Sequence, residues 1–207
     1  MSFQAVTYNV LAQSYIRPDR YPGVPPEHLE PVARQKRLVA HIVALDADLL
    51  CLQEVEPAFL ADLERGLGPG HTTRYAQREG RPDGCAIITR DSAFTLTECD
   101  TLRYTTGDQL ALIVQLSHAG EALAVASTHL RWQPRSTPPQ QHIGHRQLQE
   151  LITALEATGT PARIIAGDLN AISQSIVISG AEVRGMAISC RSQRPWDTIC
   201  IGGRRRK

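Results

Sequence analysis

The sequence predicts one domain of the α+β class, and three observations predict it. Short apolar runs recur along the chain and close on a polar residue, longer stretches between them carry apolar residues at helical spacing, and two apolar segments flank a short turn. At 207 residues the chain is long enough to bury a substantial core as one ordinary domain.

The elements follow in order. Gln4 to Leu11 begins with alternation and carries Ala5, Val6, Tyr8, Val10 and Leu11, a half-buried strand with Asn9 near its end. A loop rich in Pro and charge, Arg17 to Pro26, leads to a helix over Pro31 to Leu45, marked by Val32, Leu38, Ile42 and Leu45. Asp48 to Glu54 is an apolar run closed by a carboxylate, a buried strand ending in an acid. Pro57 opens a short helix over Ala58 to Gly66, and a Gly-Pro loop separates it from the next extended segment.

Cys85 to Thr89 is a strand entered through Asp83-Gly84. Gln109 to Leu116 and Ala122 to Leu130 form a hairpin across the turn Ser117 to Glu121, and its second strand ends on His129. After a Pro-rich loop, Gln133 to Pro139, a stripe of Ile143, Leu148, Leu151, Ile152 and Leu155 marks a helix over Gln141 to Ala157, stopped by Gly159 and Pro161. Arg163 to Asp168 is a last short apolar strand closed by an acid, and past Ser175 the periodicity weakens without any internal repeat.

Composition narrows the class. Hydrophobic residues are 42% and charged residues 21%, which excludes a disordered or collagen-like chain. Net charge is +1, so bulk charge does not hold nucleic acid, but it is unevenly spread: −4 over the first 180 residues and +5 from residue 181 onward. An acidic body suits a site that collects metal cations, and a basic end suits a phosphate-bearing ligand. Five cysteines, Cys51, Cys85, Cys99, Cys190 and Cys200, are never spaced as CxxC, which argues for a reducing, cytoplasmic setting and against a zinc knuckle or disulfide framework. No apolar run reaches the roughly 18 residues of a membrane span, and no signal peptide opens the chain. Oligomeric state stays open.

Four separate strands thus end in Asn9, Glu54, His129, and Asp168 with Asn170. Strand ends of a packed sheet share a rim, so residues distant in sequence meet there. The chain holds only two asparagines, Asn9 and Asn170, where average composition gives roughly eight, and both fall at these ends. Asp168 and Asn170 are two apart and share a face if the strand persists. A carboxylate there can orient and deprotonate a water, and an amide can donate to a phosphoryl oxygen. Glu54 supplies the hard oxygen that magnesium prefers, with manganese as a substitute metal, and the asparagine amides serve either as neutral oxygen ligands or as hydrogen-bond donors to phosphate. His129 either neutralises a phosphate oxygen when protonated or binds a metal when neutral. Arg131, just beyond it, joins Asn170 as a substrate-binding residue.

Competing motifs fail: Gly66-Leu67-Gly68-Pro69-Gly70 has the wrong spacing for a dinucleotide loop, and neither a phosphate-binding Gly-Lys-Ser/Thr nor a Gly-x-Ser-x-Gly elbow occurs. His142 and His145 are helically spaced without an acid ligand and are assigned to a solvated face.

The stretches Thr7-Tyr8-Asn9-Val10-Leu11-Ala12, Leu50-Cys51-Leu52-Gln53-Glu54-Val55, Ser127-Thr128-His129-Leu130 and Gly167-Asp168-Leu169-Asn170-Ala171 resemble the endonuclease/exonuclease/phosphatase superfamily with the DNase I-like fold. Tyr8 to Gln13 and Asp83-Gly84-Cys85-Ala86-Ile87 resemble the branch of nocturnin, Angel proteins and carbon-catabolite-repressor deadenylases. The resemblance covers about residues 4 to 178. It implies a four-layer α/β/β/α sandwich of two mainly antiparallel sheets and a magnesium-dependent phosphoester hydrolase acting on nucleic acid or a phosphorylated small molecule. Glu54 and Asn9 then bind metal, Asp168 orients the attacking water, Asn170 supports the phosphate and His129 contacts it.

The family's later Ile/Leu-Asp-Tyr and Ser-Asp-His motifs are absent, and Trp196-Asp197-Thr198-Ile199 matches the first only faintly. The reading is therefore an incomplete domain over residues 1–178, expected to lack its last strands, and a segment over 179–207 with a basic end. The alternative reading is a truncated, catalytically impaired product that binds only phosphate ligands or a partner chain.

Overall fold

The computed structural model describes residues 2–134, 136–170, 187–189 and 199–204. Trp196, Asp197 and Thr198, the basic end Arg205 to Lys207 and the proposed boundary at residues 178 and 179 lie outside the described residues.

Two sheets pack face to face. The first has the order β1–β2–β4–β3, built from β1 (Ala5–Asn9), β2 (Leu49–Val55), β3 (His71–Gln77) and β4 (Gly84–Arg90). The second has the order β5–β6–β7–β8–β10–β9, from β5 (Thr95–Arg103), β6 (Leu110–His118), β7 (Glu121–His129), β8 (Ala162–Asp168), β9 (Ala187–Ser189) and β10 (Ile199–Arg204). Each sheet holds one parallel pair, β1 with β2 and β7 with β8, among antiparallel neighbours.

Alternation sorts the apolar residues into layers. On β6, Leu110, Leu112, Val114 and Leu116 enter the core between the sheets, where Leu49, Cys51 and Ile87 meet them. Ala111 and Ile113 point the other way, onto α4 (Ile143–Ala157), whose Leu148, Leu151, Ile152 and Leu155 are buried there. Outside the first sheet, Leu50, Leu52 and Ile88 pack on Ile42 of α2 (Pro31–Ala44) and on Phe59, Leu60 and Leu63 of α3 (Pro57–Leu67). The order is helix, sheet, sheet, helix, as the resemblance implies; a one-turn helix, α1 (Pro26–Leu29), precedes α2.

Several sequence expectations shift. On α2, Val32 is not in the apolar stripe: it lies in the first turn and is exposed, while Leu38, Val39, Ile42 and Val43 face the sheet. The hairpin turn shrinks to Ala119 and Gly120, with φ of 51° and 82°, the left-handed pair that matches strand twist in a two-residue turn. Strand β5 reads as polar in sequence because it is a sheet edge with most side chains exposed. The far side of β8, where no strand is expected, pairs with β10, a run too short and glycine-rich to show periodicity. Among the described residues no helix is long and apolar enough to cross a membrane.

Candidate active site

The five predicted strand-end residues all reach one rim of the sandwich, and the sixth predicted residue, Arg131, lies beside it. Asn9 closes β1, and its Nδ2 donates to Glu54 Oε1 at 2.8 Å and to Asp168 Oδ2 at 3.0 Å, while its Oδ1 accepts from the Leu11 backbone at 2.9 Å. Glu54 is not the last residue of its strand. It is the extra residue of a β-bulge, where the pairing slips between Gln53 and Val55, and its φ is 56°. Simple alternation would send Glu54 to the helix side with Leu50 and Leu52; Val55 takes that place, and the bulge turns the carboxylate toward Asn9. Glu54 is 9% exposed, and its Oε2 accepts from the Ala12 backbone at 3.2 Å.

The parallel pairing of β7 with β8 sets His129 beside Asp168. The β8 strand ends there rather than persisting, so Asp168 and Asn170 do not share a strand face as expected. Instead the Asn170 backbone donates to Asp168 Oδ1 at 2.9 Å and Asn170 takes φ 49°, a left-handed turn that asparagine tolerates. Asn170 Nδ2 donates to the Leu130 carbonyl at 2.8 Å and lies 2.9 Å from His129 Nε2. A carbonyl only accepts, which fixes the orientation of the amide, so its second hydrogen goes to Nε2. The imidazole is thereby the neutral tautomer with its proton on Nδ1, which is buried, makes no hydrogen bond and lies 3.6 Å from Glu54 Oε1. Both amide hydrogens of Asn170 are engaged, so donation to a phosphoryl oxygen requires it to release His129 or Leu130.

The charge balance of this rim bears on a metal. Glu54 and Asp168 are held by one amide, and among the described residues no Arg or Lys lies within ion-pair distance of either carboxylate; His129 is the sole ion-pair partner within 4.0 Å. No group of three or more His, Cys, Asp and Glu among the described residues is arranged to hold a metal ion. Two under-neutralised carboxylates and an amide oxygen with a spare lone pair fit a hard cation that keeps much of its water, which is how magnesium binds.

Beside His129 opens a cleft of about 240 Å³, walled by Arg78, Gln109, Arg131, Trp132 and Asn170. Arg131 therefore stands next to the carboxylates rather than among them. Its guanidinium is 4.0 Å from Asp108, which also bonds Arg81 at 2.5 Å. Burial would raise the Asp108 carboxyl, but the Arg81 bond and the charges of Arg78 and Arg81 outweigh it and hold it low. Arg78 is anchored by Asp83 at 2.7 Å and by the Tyr15 hydroxyl at 2.9 Å. Burial, then the hydrogen bond to Asp83, pushes the Tyr15 hydroxyl up to about 12.

Sequence reasoning misses Arg78, Gln109 and Trp132. Arg78 lies in a loop five residues before Asp83 with no pattern around it, whereas Trp132, three residues past His129, was findable by proximity alone. His142 is a correction: it is not on a solvated face but buried at the N-cap of α4, where its Nδ1 accepts from the His145 backbone at 3.2 Å.

Two packed mixed sheets, helices outside them, and a shared rim of carboxylates, amides and an imidazole define the class as a four-layer α/β/β/α sandwich protein. The chain belongs to the endonuclease/exonuclease/phosphatase family, whose model matches residues 6–202. It is 30% identical to Protein angel of Drosophila melanogaster over 84% of this chain and 54% of that protein. It is 26% identical to the CCR4-Not complex 3′-5′-exoribonuclease subunit Ccr4 of Candida albicans over 85% of this chain and 28% of that one. The chain thus spans about half or less of the length of these relatives. Among solved structures, ANGEL2, a 2′,3′-cyclic phosphatase, superposes with a TM-score of 0.77 at 28% identity, covering 86% of this chain and 55% of that one. The human Nocturnin catalytic domain shares the fold at a TM-score of 0.73 and 22% identity, covering 96% of this chain and 81% of that one. The Angel and Ccr4 relatives belong to the branch that the sequence motifs resemble, and Nocturnin shares its fold.

Proposed function

We propose that the chain is a phosphoester hydrolase acting on nucleotide or nucleic-acid phosphates, with water attacking phosphorus in line. The observation that supports it is the joined rim: Glu54, Asn9, Asp168, Asn170 and His129, from strands of both sheets, linked by hydrogen bonds beside an arginine-walled cleft. Glu54, with the Asn9 amide oxygen, would hold magnesium or manganese. Bound there, such an ion polarises the phosphoryl oxygen and stabilises the leaving group.

The chain's own residues supply the rest. Asp168, its oxygens fixed by the Asn9 amide and the Asn170 backbone, accepts the proton of the attacking water. His129 carries its proton on Nδ1, at the margin of the carboxylate pair. Asn170 holds the imidazole and stands at the phosphate, and Arg131 and Arg78 offer charge to substrate phosphates from the cleft wall. A reducing, cytoplasmic setting suits Cys51, Cys85 and Cys99, which form no disulfide among the described residues.

The test is hydrolysis of oligo(A), a nicotinamide dinucleotide 2′-phosphate, adenosine 2′,3′-cyclic phosphate and a generic phosphodiester, each with magnesium and with EDTA. Metal-dependent turnover of at least one, lowered by orders of magnitude in Asp168→Ala and Glu54→Ala, is expected. Equal signal with metal and with EDTA, or wild-type rates in both variants, overturns the reading.

A further inference from the structure

Among the described residues only three large apolar side chains are exposed, and Trp132, 64% exposed, is the one that walls the cleft beside His129. The chain has two tryptophans, and an indole left in water forgoes the burial that usually makes tryptophan worth its size. No ring or guanidinium of the described residues stacks on it.

The backbone leading to it is held firmly. Leu130 donates to the Asp168 carbonyl at 2.9 Å and accepts from Asn170 Nδ2 at 2.8 Å. The Arg131 backbone donates to Gln147 Oε1 at 2.9 Å, and its carbonyl abuts Gly144, where even a Cβ would come within 2.9 Å. Rigid backbone with half-exposed side chains is the form of a ligand platform rather than of a loose loop. Trp132 follows His129 by three positions, so their Cα atoms are at most about 11 Å apart.

We propose that Trp132 is the nucleobase platform of the site: the base of a nucleoside phosphoester stacks on the indole while its phosphate lies between His129, Asn170 and the Arg131 guanidinium. This rests on the phosphoester reading above and adds to it the residue that sets the preference for base-bearing phosphoesters over sugar or glycerol phosphates. Charge complementarity favours this occupant over an apolar one. Arg78 and Arg131 wall the same cleft, so a ligand suited to it carries a flat ring and an anion together.

Two measurements test it. With Trp196→Phe as background, adenosine 5′-monophosphate should quench Trp132 fluorescence saturably, and ribose 5-phosphate should do so much more weakly. In turnover, Trp132→Ala should lower the preference for adenosine 2′,3′-cyclic phosphate over glycerol 1,2-cyclic phosphate about tenfold, through KM, with Trp132→Phe retaining most of it. Equal quenching by both phosphates, or an unchanged substrate preference in Trp132→Ala, overturns the platform even if hydrolysis itself is present. Absence of any turnover overturns the hydrolase reading instead, and the fluorescence titration then decides the platform by itself.

Discussion

One amide nitrogen, Asn9 Nδ2, joins the two sheets at the site: it donates to Glu54 Oε1 at 2.8 Å in the first sheet and to Asp168 Oδ2 at 3.0 Å in the second. The carboxylates are thereby held within reach of each other, and among the described residues no Arg or Lys lies within ion-pair distance of either. Asn9→Ala should leave two like charges facing each other with their shared donor gone, and lower kcat on adenosine 2′,3′-cyclic phosphate by about 100-fold, the usual cost of one preorganised donor. Asn9→Asp, which adds a third negative charge, should lose more. A wild-type rate in Asn9→Ala would show that the bridge has no part in turnover.

Gly167 governs the spacing of His129 and Asp168. A Cβ on Gly167 would overlap the Thr128 carbonyl oxygen and press on the backbone of β7. Gly167→Ala should therefore destabilise the fold by about 1–3 kcal/mol, as overpacking does, and reduce turnover as β7 and β8 shift apart. Gly23→Ala meets nothing within 4 Å and serves as the control. Urea midpoints of the two variants make the comparison.

Gln147 is fully buried and binds three partners: its Nε2 donates to the Thr106 carbonyl and Gln109 Oε1, and its Oε1 accepts from the Arg131 backbone. Gln147→Leu keeps the bulk but leaves the Arg131 N–H and the Thr106 carbonyl unpaired, at about 1–3 kcal/mol for each buried group. We expect a lower melting temperature and a raised KM with a smaller change in kcat, because the cleft wall moves while the carboxylates do not. A KM equal to wild type would exclude this support role.

His142 gives the fold an acid-sensitive step. Burial, with help from the neighbouring His145, lowers its affinity for a proton below the ordinary value of 6.5, and its Nδ1 must stay unprotonated to cap α4. The unfolded chain thus takes up the proton first. This contribution to stability is whole above about pH 6.5 and is lost as the pH falls toward the depressed folded value. His142→Asn, a good N-cap that does not titrate, should flatten the fall in urea midpoint between about pH 7.5 and about pH 5. The same fall in variant and wild type would place the acid sensitivity elsewhere.

The main elements are legible in the sequence because burial leaves a pattern: α4 shows its stripe, and β2, buried at every position, opens with the apolar run Leu49 to Leu52. The edge strands β3 and β5 do not show as clearly, since they carry polar side chains that water reaches. The five site residues are legible as strand ends, but their connections are not. Glu54 reaches Asn9 only through a bulge, and Asn170 reaches His129 only through a left-handed turn; neither conformation leaves a periodic trace. Arg78 and Gln109 escape because the loops that bring them to the cleft are set by tertiary contacts with Asp83 and Gln147.

Each sheet contains a single parallel pair among the described strands, and these pairs carry the proposed site: Asn9 pairs with Gln53, next to Glu54, and His129 pairs with Asp168. A hairpin cannot bring two such strand ends together, because parallel neighbours need a long crossover between them. The crossovers here run from residue 10 to 48 and from 130 to 161. During synthesis, then, the polypeptide emerges with Asn9, Glu54, His129 and the Asp168–Asn170 turn of the proposed site far apart along the chain. The rim can close only after Asn170 has left the ribosome and both crossovers have docked, so catalytic competence should arrive late and all at once, after much of the hydrophobic interior has formed.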